Sequence, residues 1–191
     1  MAKAKPVIGL SPQTSTALNA RMIARTRLEE LYSWDQYVAL PYAVRELHNL
    51  RIAAKRLRYT LEIFQEALSP ACESVIAEVE QIQEELGALH DSDVFIALLR
   101  LCLGSWDAGT AYVSRLARAD KLKGRTFLNP ALLVSLLAPD AMPSADERAG
   151  LERLLADFQT NRKEQYAVFY RHWSLLKDRN FFHEVLAILA D

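Results

Sequence analysis

The stretch "HNLRIAAKRLRY" (residues 48–59) decides the fold class. At about 100° per residue, Leu50, Ala53, Ala54 and Leu57, continued by Leu61, Phe64 and Leu68, gather on one side of a helix. His48, Arg51, Lys55 and Arg58 follow the spacing 3, 4, 3 and form a second stripe beside that core seam. Arg45 and Arg56 fall on the far flank with Ile52, Tyr59 and Ile63. The cationic stripe extends over roughly 15 Å at a rise of about 1.5 Å per residue. Like charges at this spacing repel by a few tenths of a kcal/mol per pair, so a polyanion or carboxylates from another helix should offset them.

The sequence has features that speak for each. Segment 71–91 carries Glu73, Glu78, Glu80, Glu84, Glu85 and Asp91 without a single Lys or Arg. It follows a short turn, so it is expected antiparallel beside the basic helix, with some of its acids paired to it. Yet arginine outnumbers lysine in the basic stretch, and its planar fork suits phosphate oxygens. Positive charge also recurs in "RLARADKLKGR" (115–125), where Arg115, Arg118, Lys121, Lys123 and Arg125 face one acid, Asp120.

Working outward, the same periodicity recurs. Helices are expected at 17–33, 42–68, 71–89, 92–103, 107–119, 128–138, 145–177 and 181–190. Pro41 can open the second of these, and "SP" at 69–70 ends it. "KGRTFLNP" (123–130) reads as a loop, and Ser144 with Glu147 as a capping box. In 145–177, Leu151, Leu154, Leu155, Phe158, Phe169, Trp173 and Leu176 mark the core face, with His172 on its edge. Arg162 falls on that inward face, so it either joins a buried ion pair or lines a polar channel shared with the basic stripe. No strand alternation persists. The fold class is all-α: an antiparallel, four-helix-bundle-like domain over 17–191, with room for a smaller helical subdomain, after a flexible tail at 1–16.

Bulk composition agrees. The 191 residues are 51% hydrophobic, enough for one real core, and hold 6 Gly and 7 Pro, which favours helix over sheet. A formal charge of −1 argues against general nucleic-acid binding. Cys72 and Cys102 sit in apolar helical patterns and read as buried thiols of a reducing compartment. The start lacks a secretory pattern, and "VFIALLRLCLG" is too short to span a bilayer, so a cytoplasmic protein without membrane association is expected.

The strings "ELHNLRIAAKRLRYTLEIF" and, some twenty residues on, "IQEELGALHDSDVFIALL" resemble those of the CHAD family, the conserved-histidine α-helical domains. The His-x-x-Arg-x-x-x-Lys-Arg-x-Arg-Tyr and Leu-Gly-x-x-x-Asp-x-Asp-Val patterns stand in the family's order and spacing. The resemblance is densest over 43–104 and looser over 145–190, where "RKEQYAVFYRHWSLLKDRNFFHEVLAIL" is similar to the family's closing helix with its Trp. It implies a helical bundle that binds inorganic polyphosphate on a basic surface or channel, without catalysis, metal or other cofactor, and in some settings at polyphosphate granules. It implies that His48, Arg51, Lys55, Arg56 and Arg58 contact phosphate and that Tyr59 packs beside them. Arg162, Arg115, Arg118, Lys121 and Lys123 extend the expected set. Asp91 and Asp93 are expected to cap a following helix. The family pairs two such bundles in tandem, whereas this chain shows one clear motif copy. The expected surface is therefore half-sized, or rebuilt by a homodimer.

Two other readings compete. A helical scaffold or protein-interaction module would neutralise the basic helix internally. A metal-dependent phosphohydrolase would use "HD" at 90–91, but needs further His or Asp ligands, and His48, His172 and His183 lie far apart in sequence.

Overall fold

The computed structural model describes residues 3–108 and 144–190. Among these, the regular structure is entirely helical: α1 (Thr16–Tyr32), α2 (Val44–Ile63), α3 (Cys72–Ala108), α4 (Ala145–Asp178) and α5 (Phe181–Ile188), with short 3-10 turns at Asp35–Tyr37 and Gln65–Ala67. The expected helix 128–138, most of 107–119 and the loop 123–130 lie outside the described residues, as do Arg115, Arg118, Lys121, Lys123 and Arg125.

Two compact units emerge: Met1–Asp91 with Arg162–Asp191, and Ser92–Asn161. In the first, all five helices feed one core. It takes Ala20, Ala24, Leu28 and Leu31 from α1, and Leu47, Leu50, Ala53, Ala54, Leu57 and Leu61 from α2. From α3 it takes Cys72, Val75, Val79, Ile82, Leu86 and Leu89, at alternating steps of three and four that keep one stripe facing inward. Phe169, Trp173 and Leu176 of α4 and Phe181 and Val185 of α5 complete it. Burying these side chains, at about 1.5–3 kcal/mol for each large one, is the main force holding the unit together. Cys72 is a buried free thiol whose pKa is pushed up by burial, as expected of an unreactive core cysteine.

The second unit is described only in part. Phe95 and Phe158 stack with ring centroids 4.9 Å apart, and Ile96 and Leu99 are buried. The capping box is present: the Glu147 backbone N–H donates to Ser144 Oγ at 3.3 Å, and the Ser144 N–H donates to the Glu147 carboxylate at 2.7 Å. Leu154, expected on the core face, is exposed.

Three expectations about the elements are corrected. The helices expected at 71–89 and 92–103 are one, because α3 runs unbroken through "LHDSDV". Asp91 and Asp93 therefore lie in a helix interior rather than at the expected cap position. Leu86, Leu89, Ile96 and Leu99 are all buried, as is Ser92, and this inward stripe carries the helix past residues that would otherwise favour a cap. Helix α2 begins at Val44 rather than at Pro41, with Ala43 at its N-cap and no side-chain cap. It ends at Ile63, and a 3-10 turn replaces the expected last turn before Leu68 becomes extended ahead of Ser69 and Pro70.

At the N-terminal side, Lys5 is tied to α1. Its backbone N–H donates to Glu30 at 3.3 Å, its ammonium pairs with Glu29 at 2.6 Å, and its carbonyl accepts from Arg27 at 2.8 Å. No helix among the described residues is long and apolar enough to cross a membrane.

Candidate functional site

Helix α2 turns its core seam inward, so its charged residues are left on the outer flanks, and the structure divides them by partner. Arg56 belongs to an internal cluster. Its guanidinium pairs with Glu30 of α1, a carboxylate only 6% exposed, which also accepts from Arg27 at 2.6 Å. A buried acid held by two guanidiniums and the Lys5 N–H is compensated on both sides. Glu30 is not among the site residues expected from sequence; its one signal there is a position beside the inward series Ala20, Ala24, Leu28 and Leu31.

Arg58 is shared. Its Nη1 lies 2.5 Å from Glu80 of α3, and its Nε 3.6 Å from Glu62. Glu80 is thus an acid of α3 that answers the basic helix, as the paired-helix reading expected of at least some. The other inward acids of α3 turn away. Glu85 and Glu78 bracket His172 of α4, at 2.9 Å from Nδ1 and 3.1 Å from Nε2, and Glu78 also meets Arg179 at 3.0 Å. His172 and Arg179 thereby draw off negative charge that the sequence alone would have assigned to α2.

Arg51 and Lys55 differ from these. Among the described residues neither has a carboxylate within ion-pair distance. The Arg51 side chain passes over Gly87 of α3, where an added Cβ would come within 3.5 Å of Nε, and that Nε is buried without a hydrogen-bond partner among the described residues. Lys55 Nζ sits 5.3 Å from the centre of the Tyr59 ring, and the Arg58 guanidinium 5.1 Å from it. Tyr59 is 42% exposed and lies under the stripe rather than on the far flank. Its electron-rich face offsets part of the repulsion between the two cations it carries.

His48 heads the stripe. Its ring centre lies 4.4 Å from that of His90 on α3. Burial, then His90, then Arg51 hold the His48 pKa below its ordinary 6.5, because each disfavours a further positive charge. His90 was absent from the expected set. It stands 42 positions away in sequence, and only the packing of α2 on α3 brings the two rings together.

Arg162 is not on this face. It is 4% exposed, donates from Nη2 to the Pro41 carbonyl at 2.5 Å, and lies 5.4 Å over the Tyr42 ring. It fastens α4 to the turn that precedes α2. Tyr166, one turn on, repeats the device by donating to the Val38 carbonyl at 2.7 Å. Trp173 is core, with its indole N–H donating to Asp35 at 2.8 Å. No group of three or more His, Cys, Asp or Glu side chains among the described residues is arranged to hold a metal ion.

The order of the stripe, with His48, Arg51, Lys55, Arg58 and Tyr59 on one helix and Gly87 beneath Arg51 on the next, is where comparison with known families bears. A family model, the CHAD domain, matches residues 4–100, a little over half of the sequence. The chain belongs to the CHAD family. That family is associated with polyphosphate binding. The CHAD match takes in the N-terminal segment and α1, where the resemblance in sequence is faint, and stops before α4. No curated protein and no solved structure matches the chain.

Proposed function

We propose that this CHAD protein binds inorganic polyphosphate, or a similar phosphate-rich polyanion, along the outer face of α2, and that it does so without hydrolysing it. The observation that carries this reading is the state of Arg51 and Lys55. They stand in line with His48 and Arg58, and no carboxylate of the described residues neutralises them. Such a row of cations at one-turn spacing suits a linear chain with a negative charge on every unit. Arg58 joins the row by exchanging Glu80, which is half exposed, for a phosphate oxygen. Arg56 and Arg162 enter as residues that hold the helix in place, since Glu30 and the Pro41 carbonyl engage their guanidiniums. The non-catalytic part rests on the chemistry of the row, which offers charge and hydrogen-bond donors but no placed nucleophile.

The test is gel retardation or calorimetry with long-chain polyphosphate, with and without Mg²⁺ or Mn²⁺. Binding should be clear at low salt and fall steeply as salt rises, by analogy with counterion release from nucleic acids. Absence of binding at low salt refutes the proposal. Phosphate release above background with a divalent ion would instead support the phosphohydrolase reading.

A further inference from the structure

The basic stripe of α2 has a counterpart on α3. His48, Arg51, Lys55 and Arg58 are spaced 3, 4 and 3; read backwards along α3, so are His90, Gly87, Gln83 and Glu80. Three of the four facing pairs are seen directly. The His48 and His90 ring centres are 4.4 Å apart, Arg51 Nε lies 3.5 Å from the place of a Cβ on Gly87, and Arg58 Nη1 lies 2.5 Å from Glu80. That register sets Lys55 opposite Gln83. Segment 71–91 holds six acids, yet across from this lysine it carries a neutral amide. The amide is poorly provided for. Gln83 Oε1 is buried without a hydrogen-bond partner among the described residues, and so is Arg51 Nε, one turn away on the facing helix. Buried polar groups normally find a partner in the protein or in a bound molecule. With Oε1 turned inward, the NH2 end of the amide is the one left at the surface, in line with Lys55 and Arg51.

We propose that Gln83 of α3 is a ligand-contacting residue of this site. Its amide N–H donates to an oxygen of a phosphate chain lying along the seam between α2 and α3, and its neutrality leaves Lys55 open to the same chain. The inference rests on the polyphosphate reading and deepens it by giving the site a second wall. An amide donor adds a hydrogen bond to phosphate without adding to the mutual repulsion of the cations, as a further arginine would. A carboxylate in its place would do the reverse. In register with Lys55, it would close an ion pair as Glu80 does with Arg58, and it would repel phosphate. Gly87 serves the same wall by omission, since a side chain there would take the room beside the Arg51 guanidinium. Glu80 and Gln83, one turn apart, thus mark a closed and an open position on one helix face.

Calorimetric titration of the full chain with long-chain polyphosphate at low salt, beside unfolding in urea, tests this with three variants. Gln83→Met keeps the length of the side chain and removes the donor. It should fold and bind about three- to tenfold more weakly. Gln83→Glu should bind at least on the order of tenfold more weakly and be no less stable, because the new carboxylate meets Lys55. A merely damaged fold would not lose affinity while keeping its stability. Gln81→Glu makes the same exchange at an exposed position on the opposite side of α3 and should bind within about threefold of the parent. Clear binding by the parent, with Gln83→Met within about twofold of it, would overturn the inference while leaving the polyphosphate reading intact. So would equal affinities for Gln83→Glu and Gln81→Glu. Absence of binding by the parent would overturn both. If Gln83→Met fails to fold, the comparison of Gln83→Glu with Gln81→Glu still decides.

Discussion

Arg56 and Lys55 are neighbours in sequence and opposites in circumstance. Arg56 turns to α1, where Glu30 holds it together with Arg27 in a cluster shielded from water. Lys55 turns outward over Tyr59 with no acid of the described residues to answer it. One basic string thus supplies both the fastening of a helix and the charge proposed to meet a ligand. What separates the two is a rotation of about 100° on the helix. Charge that is buried and paired acts on stability. Charge left on an outer face acts on binding, since exposed charges contribute little to the fold.

Glu30→Gln should expose this difference most strongly. Removing the shared carboxylate strands two guanidiniums, and unfolding in urea should show a loss of about 3 kcal/mol. A loss under about 0.5 kcal/mol would mean that the Arg27–Glu30–Arg56 cluster is a surface pair in effect. Arg162→Leu comes next. It leaves the Pro41 carbonyl without its donor, and the expected cost is about 2 kcal/mol in the same assay. A cost near zero, with polyphosphate affinity reduced, would return Arg162 to the ligand face. Lys55→Ala is the counterpart. Its stability should stay within about 0.5 kcal/mol of the parent, while its affinity for polyphosphate falls. The smallest effect expected is in the pH dependence of stability. His48 has a folded-state pKa below its ordinary 6.5. The unfolded chain therefore binds the proton first, and the stability this group contributes is present above that value and lost as pH falls through the folded pKa. Comparing His48→Gln with the parent between pH 7.5 and 5.5 should show a shallower decline in the variant. An identical decline would mean that His48 titrates normally in the fold.

Much of this contrast was readable in advance. The inward seam of α2 follows from periodicity, because Leu50, Ala53, Ala54, Leu57 and Leu61 can share one face only in a helix, and all of them are buried. The capping box at Ser144 was equally plain, since it depends on two side chains three residues apart. The continuity of α3 was not, because the local chemistry of "HDSD" favours a cap and only burial on both sides overrides it. Nor was the partition of charge. Whether Glu78 and Glu85 serve α2 or α4 depends on which helix packs against them, and His172 and Arg179 are close only in three dimensions. The same holds for His90. A lone histidine in "LHD" reads as a fragment of a metal motif until the packing sets it against His48.

The central claim is that the outer face of α2 is for a phosphate chain rather than for the fold. The most direct test measures affinity and stability together on Arg51→Ala/Lys55→Ala. The expected result is a folded protein, with stability within about 1 kcal/mol of the parent. Its polyphosphate affinity should be at least on the order of tenfold weaker at low salt, with a correspondingly shallower salt dependence. A double variant that unfolds, or one that stays folded and binds polyphosphate as tightly as the parent, would contradict it.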